Sequence, residues 1–599
     1  MCGIAGILSH KPDPSDALTR AKAMQSALHH RGPDGSGLYQ SSNATATLIH
    51  TRLSIIDLSD TGHQPMAFDD QQYWITFNGE IYNYKELKRS LELEGVEFQS
   101  HSDTEVILAL YKRHSEKCVE YLRGMYAFLI WDEKSKTAFA ARDPLGIKPF
   151  YYQATEQHFI FSSELRALHK ANNAQASLSY EGVSSYLHRG SVSEPQTLVE
   201  GINILPAGSF LKWQNGELTN QSFWKINFSD QITEKSEAAK ITRQALLDSV
   251  KAHFVSDVPV GLFLSGGIDS TAILALAHQV TDQPLNTYSI AFENPQWNEG
   301  DIARKVAKHF GANHTEFVMT PEIAEPLFKS FLETIDQPTI DGFNTYCVSK
   351  LAHDHGEKVV LSGLGGDELF AGYKSFDVLP KTMRILKLAS VLTPLVRIMQ
   401  TPLNRLLSPR FRRALDSLCD PTSLTQAHQS LRGIFSTKES EALLSSFVAS
   451  SPKSSNEPKP AWVNESILDQ ISALELSTYM RNQLLRDSDI MSMAWSLELR
   501  VPFVDKNLIE ALSPIASDIR LRQGKKLLLE AVPEIPEWVS NRPKQGFRFP
   551  FDEWFSGYWN SISPNHNIPS WIKLSPWYRR WSIVVLEDWI NRHLSQGKL

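Results

Sequence analysis

The sequence predicts an α+β sandwich followed by an α/β domain, built on a doubly wound parallel sheet, with a mainly helical C-terminal part. Three observations point there. The chain has 599 residues, 42% of them hydrophobic, and a single core stops growing at roughly 250–300 residues. The first two hundred residues mix short strands with two or three helices. From Val258 onward, apolar strands alternate with helical segments, the pattern of a parallel sheet covered on both faces.

In the first part, residues 3–8 read as a strand. Ser102-Asp103-Thr104-Glu105 has the Ser-x-x-Glu form of a capping box, so a helix is expected to start there and run through the apolar-periodic residues 106–111. Residues 125–131 and 137–141, joined by the polar turn 132–136, read as a β-hairpin. In the second part, 258–264 is a buried strand, 271–278 a helix, 285–292 a strand, and 301–310 a helix that Gly311 can terminate. Residues 314–318 and 358–361 are further strands. Beyond Tyr373 helices dominate, interrupted by a Ser/Pro/Lys-rich stretch at 449–460 that reads as a surface loop. These shifts divide the chain into residues 1–213, a polar linker 214–235, and residues 236–599.

Lys and Arg total 60 against 67 Asp and Glu, a formal charge of −7, so the basic excess of a nucleic-acid binder is missing. The four cysteines (Cys2, Cys118, Cys347, Cys419) have no CxxC spacing, which argues against a disulfide framework and a structural zinc site. No secretion signal and no apolar run of membrane-spanning length is visible. A cytoplasmic protein with small-molecule partners, no nucleic acid and no membrane is expected, and a homodimer is one assembly the sequence allows.

Ser265-Gly266-Gly267-Ile268-Asp269-Ser270 falls between a predicted strand and a predicted helix. Glycines admit close backbone approach to phosphate, and the N–H groups of a helix start attract anions. It is neither G-x-x-x-x-G-K-[ST] nor G-x-G-x-x-G. A second loop, Ser362-Gly363-Leu364-Gly365-Gly366-Asp367-Glu368, follows another strand. Two Gly-rich loops at strand carboxyl ends, each with a carboxylate, suit ATP with Mg²⁺ held by Asp269 and Asp367. Taken singly, either Asp is equally a helix-start carboxylate favoured by the dipole.

Cys2 becomes N-terminal if Met1 is removed. One residue then carries a thiol and an α-amine of pKa near ~8 that can act as its base. Amide hydrolysis at such a thiol also needs donors for the oxyanion. Asn78-Gly79-Glu80 can supply an Asn side-chain N–H and a Gly backbone N–H, although Asn-Gly is equally a hairpin-turn signal. Arg52 and Asp103 can bind the carboxylate and ammonium of a free amino acid.

These segments, together with Arg31-Gly32-Pro33-Asp34, Arg52-Leu53-Ser54-Ile55 and Arg142-Asp143-Pro144-Leu145-Gly146, resemble the glutamine-hydrolysing asparagine synthetases over nearly the whole chain. The resemblance implies an N-terminal-nucleophile glutaminase sandwich followed by an ATP-pyrophosphatase-type synthetase domain. By position it implies Cys2 as nucleophile, Asn78 and Gly79 as oxyanion hole, and glutamine bound by Arg52, Leu53, Ser54, Ile55, Ile56, Asn78, Gly79, Glu80 and Asp103. ATP would be bound by Leu264, Ser265, Gly266, Gly267, Asp269, Ser270, Ile290, Ser362 and Gly363, and Mg²⁺ by Asp269 and Asp367. A late lysine should stabilise charge at the acyl-adenylate. Lys544, in Arg542-Pro543-Lys544-Gln545-Gly546-Phe547, is the first choice and Lys525 the second. The implied reaction is ATP-dependent amidation of aspartate with ammonia from glutamine, passed through an internal tunnel. Where several asparagine-forming relatives carry Glu, this chain has Leu364, which can neither take up a proton nor bind an ammonium. That leaves another carboxylate, such as a sugar uronic acid of surface polysaccharides, as the alternative acceptor.

Overall fold

The first strand, Gly3–Ser9, is buried along its whole length because it is central in one sheet and lies between a second sheet and a layer of helices. The computed structural model describes residues 2–10, 13–171, 176–294, 296–448, 465–542, 549–557, 559, 562–566 and 568–594. The first sheet has the spatial order Ile202–Ile204, Tyr151–Ala154, His158–Ser162, Gly3–Ser9, Ala46–Arg52 and Gly35–Gln40. The second runs Glu217–Ser222, Ser209–Gln214, Thr137–Arg142, Gly124–Asp132, Tyr73–Ile81 and Met66–Phe68. Between the sheets Ile4, Leu8 and Leu48 from the first meet Leu129, Trp131 and Ala140 from the second. On the outer faces Ile7 and Ile49 pack with Ala21 and Met24, and Ile75 and Phe77 pack with Val106 and Leu110. Each sheet thus buries both faces, one against the other sheet and one against helices.

The expected hairpin forms, with Gly124–Asp132 antiparallel to Thr137–Arg142. The helix Asp103–His114 starts where its signal lies, with the Ser102 side chain accepting from Thr104 N. The reciprocal half of the capping box does not form. Glu105 instead accepts from Gln99 N, Ser100 N and Ser100 Oγ, because the preceding loop folds back over it and offers three donors. Before residue 200 the described residues contain six α-helices rather than two or three. The edge strand Glu217–Ser222 pairs with Ser209–Gln214 inside the stretch expected to be a linker, so that sheet extends past residue 213.

The second sheet system is parallel throughout, with order Asn313–Met319, Asn286–Phe292, Val260–Phe263, Val359–Leu361, Glu498–Arg500. The chain starts at the central Val260–Phe263 strand, moves outward to one edge, and returns to the other side of that strand with Val359–Leu361. The order therefore reverses between Val260–Phe263 and Val359–Leu361, where open α/β sheets bind ligands. The helices that follow residue 373 match the helical part expected. The 449–460 stretch lies outside the described residues.

Candidate active sites

Cys2 precedes the Gly3–Ser9 strand and is buried, with its backbone N–H donating to Asn78 Oδ1 at 3.0 Å and its Sγ 3.9 Å from Leu53 O. Burial pushes its thiol pKa up, against the smaller opposing pull of a nearby positive charge. Asn78-Gly79-Glu80 is not a turn: the Tyr73–Ile81 strand runs straight through it, paired with Gly124–Asp132. Gly79 sits at φ +151°, and a Cβ there would lie 2.1 Å from Met125 O, so the strand pair closes only around glycine. Asn78 is fully buried, and its Nδ2 has no hydrogen-bond partner among the described residues. Such an orphaned donor beside a thiol is costly unless a ligand satisfies it.

Glu80 and Asp103 are both buried beside this strand. Asp103 accepts from Ile81 N at 2.9 Å, and burial pushes its carboxyl up to about 6. Burial, with Glu498 and Asp103 nearby, holds the Glu80 carboxyl well above the ordinary carboxylate range. Two acids primed this way gain by meeting a cation. Arg52 ends the Ala46–Arg52 strand and fixes the loop after it, donating to Ser59 O at 2.9 Å and to Asp57 O. That loop carries Leu53, Ser54, Ile55 and Ile56, with Ser54 N donating to Asp34 Oδ2 at 2.8 Å.

At the switch point of the parallel sheet the two Gly-rich loops touch. A Cβ at Gly363 would lie 2.9 Å from Ser270 N, and one at Gly366 would lie 2.4 Å from Asp269 Oδ1. In the first loop Ser265 Oγ and Ser270 Oγ are 3.2 Å apart, and Gly267 N donates to Ser265 Oγ at 3.3 Å. The helix Ile268–Val280 then begins. Leu264, just after the Val260–Phe263 strand, and Ile290, in the C-terminal half of the neighbouring Asn286–Phe292 strand, are both buried, and Ser362 N donates to Arg500 O at 2.8 Å. All the residues expected to bind nucleotide thus gather at one end of the sheet.

Asp269 and Asp367 converge on the ammonium of Lys525, which bonds Asp269 and lies 2.5 Å from Asp367 Oδ1. Burial works against that charge, but the two carboxylates hold Lys525 above its ordinary pKa. The pair of hard oxygen donors fits Mg²⁺ as readily as an ammonium, since both ask for concentrated negative charge. Lys525 is the alternative that the sequence offers for the late lysine; Lys544, the preferred residue there, lies outside the described residues.

Sequence reasoning missed the connection between the two sites. Arg31 is fully buried and donates to Cys2 O at 3.1 Å, to Glu164 at 2.9 Å and to Asp489 of the second domain at 2.8 Å. Lys148 lies 3.5 Å from Asp489 and is depressed by burial. Arg500 pairs with Glu498 at 2.6 Å and lies 3.8 Å from Glu80. A signal was present in Glu498-Leu499-Arg500, whose charged residues flank one Leu in a segment too short to read as a strand.

Residues 1–224 match the model of a glutamine amidotransferase domain, and residues 242–562 match that of asparagine synthase. The chain is 34% identical over 584 residues to the glutamine-hydrolyzing asparagine synthetase 1 of Bacillus subtilis, covering 94% of this chain and 89% of that one. It is 34% identical over 407 residues to the glutamine-hydrolyzing asparagine synthetase B of Escherichia coli, covering 64% and 67%. A third relative, the amidase chry2 of Gibberella zeae, is 30% identical over 63% of this chain and 60% of its own.

Proposed function

The chain belongs to the asparagine synthase family, with a glutamine amidotransferase domain at its N-terminal end, and from that premise we propose that it is a glutamine-dependent asparagine synthetase. With Met1 removed, the Cys2 α-amine takes the thiol proton and the thiolate attacks the glutamine side-chain amide. Asn78 Nδ2 and the Gly79 N–H donate to the oxyanion, Glu80 and Asp103 hold the substrate ammonium, and Arg52 holds its carboxylate. The Cys2 ammonium returns its proton to the departing nitrogen, ammonia departs to leave a thioester on Cys2, and water cleaves that thioester to release glutamate and restore the thiol. At the second site an aspartate oxygen attacks the α-phosphorus of ATP, expelling pyrophosphate, and ammonia then displaces AMP from the aspartyl-adenylate. Asp269 and Asp367 would hold Mg²⁺, which supplies charge neutralisation at the phosphate oxygens when bound. Lys525 is the cation we assign to charge developing on the adenylate. The ammonia must stay out of water, where protonation would end its nucleophilicity.

One observation carries this reading. The buried, unsatisfied Asn78 Nδ2 stands beside Cys2 in a chain whose other Gly-rich end gathers Asp269, Asp367 and Lys525. The test is incubation with glutamine, aspartate, ATP and Mg²⁺. Asparagine, AMP and pyrophosphate should form together. Intact glutaminase activity without asparagine would overturn the aspartate assignment, and a panel of carboxylates, uronic acids included, scored by pyrophosphate release would then identify the acceptor. Leu364 is the residue that makes this panel informative, since it packs partly buried against the core of the second domain and offers the acceptor no charge.

A further inference from the structure

Sixteen large apolar side chains are exposed among the described residues, and nine of them crowd between Ile385 and Phe411. Scattered exposed apolar residues need no explanation, but a contiguous patch does. The helix Ser375–Ala389 turns its Phe376, Leu379, Met383 and Leu386 inward, onto Leu424, Ala427, Ile471 and Leu474. Its opposite face carries Ile385 and Leu388, the latter 81% exposed. The next helix, Thr393–Leu406, has no buried apolar side chain at all. Residues 385 and 388 share one face of the first helix and residues 395, 399 and 406 one face of the second, with Leu392 in the 3-10 turn Ser390–Leu392 that joins them. Val391 and Ile398, 83% and 77% exposed, widen that patch beyond the narrow seam of a coiled coil.

Charge says what covers it. Residues 374–413 hold nine Lys and Arg against a single acid, Asp377, in a chain whose formal charge is −7; one of the nine, Arg412, is buried and paired with Glu439 at 2.6 Å. Asp377 is paired with Lys381 at 2.6 Å. Lys374, Arg384, Lys387, Arg397, Arg405 and Arg410 are exposed around the apolar patch. A second copy of this chain, meeting the patch by two-fold symmetry, would bring like charge onto like charge. An anionic surface neutralises it. No helix among the described residues is long and apolar enough to cross a membrane, so the element would lie in the interface plane.

We propose that residues 374–413 form a peripheral docking surface for an anionic lipid bilayer, the apolar patch entering the headgroup boundary and the surrounding Lys and Arg binding lipid phosphates. The full chain is tested by co-sedimentation with phosphatidylcholine vesicles, with and without about one-third phosphatidylglycerol, at low and high salt. Binding should be at least ~10-fold tighter to the anionic vesicles and should weaken with salt. Leu388→Glu with Ile398→Glu, and separately Arg384→Glu with Lys387→Glu, should each cut binding at least ~10-fold while pyrophosphate release with added ammonia, a readout of the domain that carries them, stays unchanged and shows that the variants fold. Retention of the full chain in the supernatant, or equal binding to neutral and anionic vesicles, overturns the proposal. If the chain instead sediments as a dimer that the Leu388→Glu, Ile398→Glu pair dissociates, the face is a contact between two copies.

Discussion

Asn78→Ala removes two things at once, and their magnitudes separate them. The first is the Nδ2 donor, buried and without a hydrogen-bond partner among the described residues, which the proposed reaction uses at the oxyanion. Loss of one oxyanion donor costs roughly 3 kcal/mol in the transition state, or about 10²–10³ in kcat, with little change in KM because the ground-state carbonyl is held less strongly. The second is Oδ1, which accepts from Cys2 N at 3.0 Å. Its loss strands the buried Cys2 nitrogen, an α-amine once Met1 is removed, and costs ~1–3 kcal/mol of folding stability. Glutamate release at saturating glutamine, a melting curve, and pyrophosphate release with added ammonia should therefore give a large fall in kcat, a modest fall in Tm and an unchanged ammonia-dependent rate. A kcat within about threefold of the parent enzyme would refute the oxyanion assignment. A parallel loss of both activities would mean the substitution acts through folding.

Cys2→Ala should abolish glutamine-supported synthesis and leave synthesis from ammonia intact, measured side by side as pyrophosphate release; losing both contradicts two separate sites. Gly372→Ala should lower pyrophosphate release at least ~10-fold with glutamine hydrolysis untouched, because its Cβ would lie 1.8 Å from Asp367 Oδ1 and 2.5 Å from Lys525 Cε. Burial pushes the Asp103 carboxyl up to about 6, and in the proposed site only its ionised form would attract the glutamine ammonium. Binding is therefore full above that pH, and KM for glutamine should climb toward about tenfold per unit below it; a flat KM between pH 7 and 5 would take Asp103 out of the ammonium site. Arg31→Met should destabilise the chain in denaturant titrations by less than the ~3–5 kcal/mol of a fully stripped buried charge, since Glu164 keeps His30 and Arg166 and Asp489 keeps Lys148.

What the sequence made legible was local. Apolar strands, a helix cap and two Gly-rich loops each announce themselves within a dozen residues, and the strand-helix alternation from Val258 places both loops at the same end of one sheet. Asn78-Gly79 shows the limit of such reading. As a dipeptide it signals a turn, and only the pairing of Tyr73–Ile81 with Gly124–Asp132 makes it strand. Lys525 shows a second limit. Its partners lie 256 and 158 residues away in the chain, and nothing in Gly524-Lys525-Lys526 distinguishes it from a solvated charge. Arg31 and Arg500 are harder still, because a buried arginine and an exposed one are written with the same letter until the fold closes over one of them.

The charges between the two domains raise a physical question of their own. Arg31, Glu164, Asp489, Lys148, Glu498 and Arg500 are all buried, and removing such charges from water costs as much as, or more than, their mutual attraction returns. An apolar interface of equal area would hold the domains at least as firmly. Directional bonds add register: Arg31 reaches Cys2 O with one nitrogen, Glu164 with another and Asp489 with a third, so the nucleophile's backbone and the second domain cannot slide past one another without stranding a charge. In the proposed reaction ammonia is a short-lived neutral intermediate that would need that constraint, because ammonia delivered a few ångströms off its acceptor meets water first. The interface is therefore better understood as fixing the distance and angle between Cys2 and the Asp269-Asp367-Lys525 cluster than as holding the chain together.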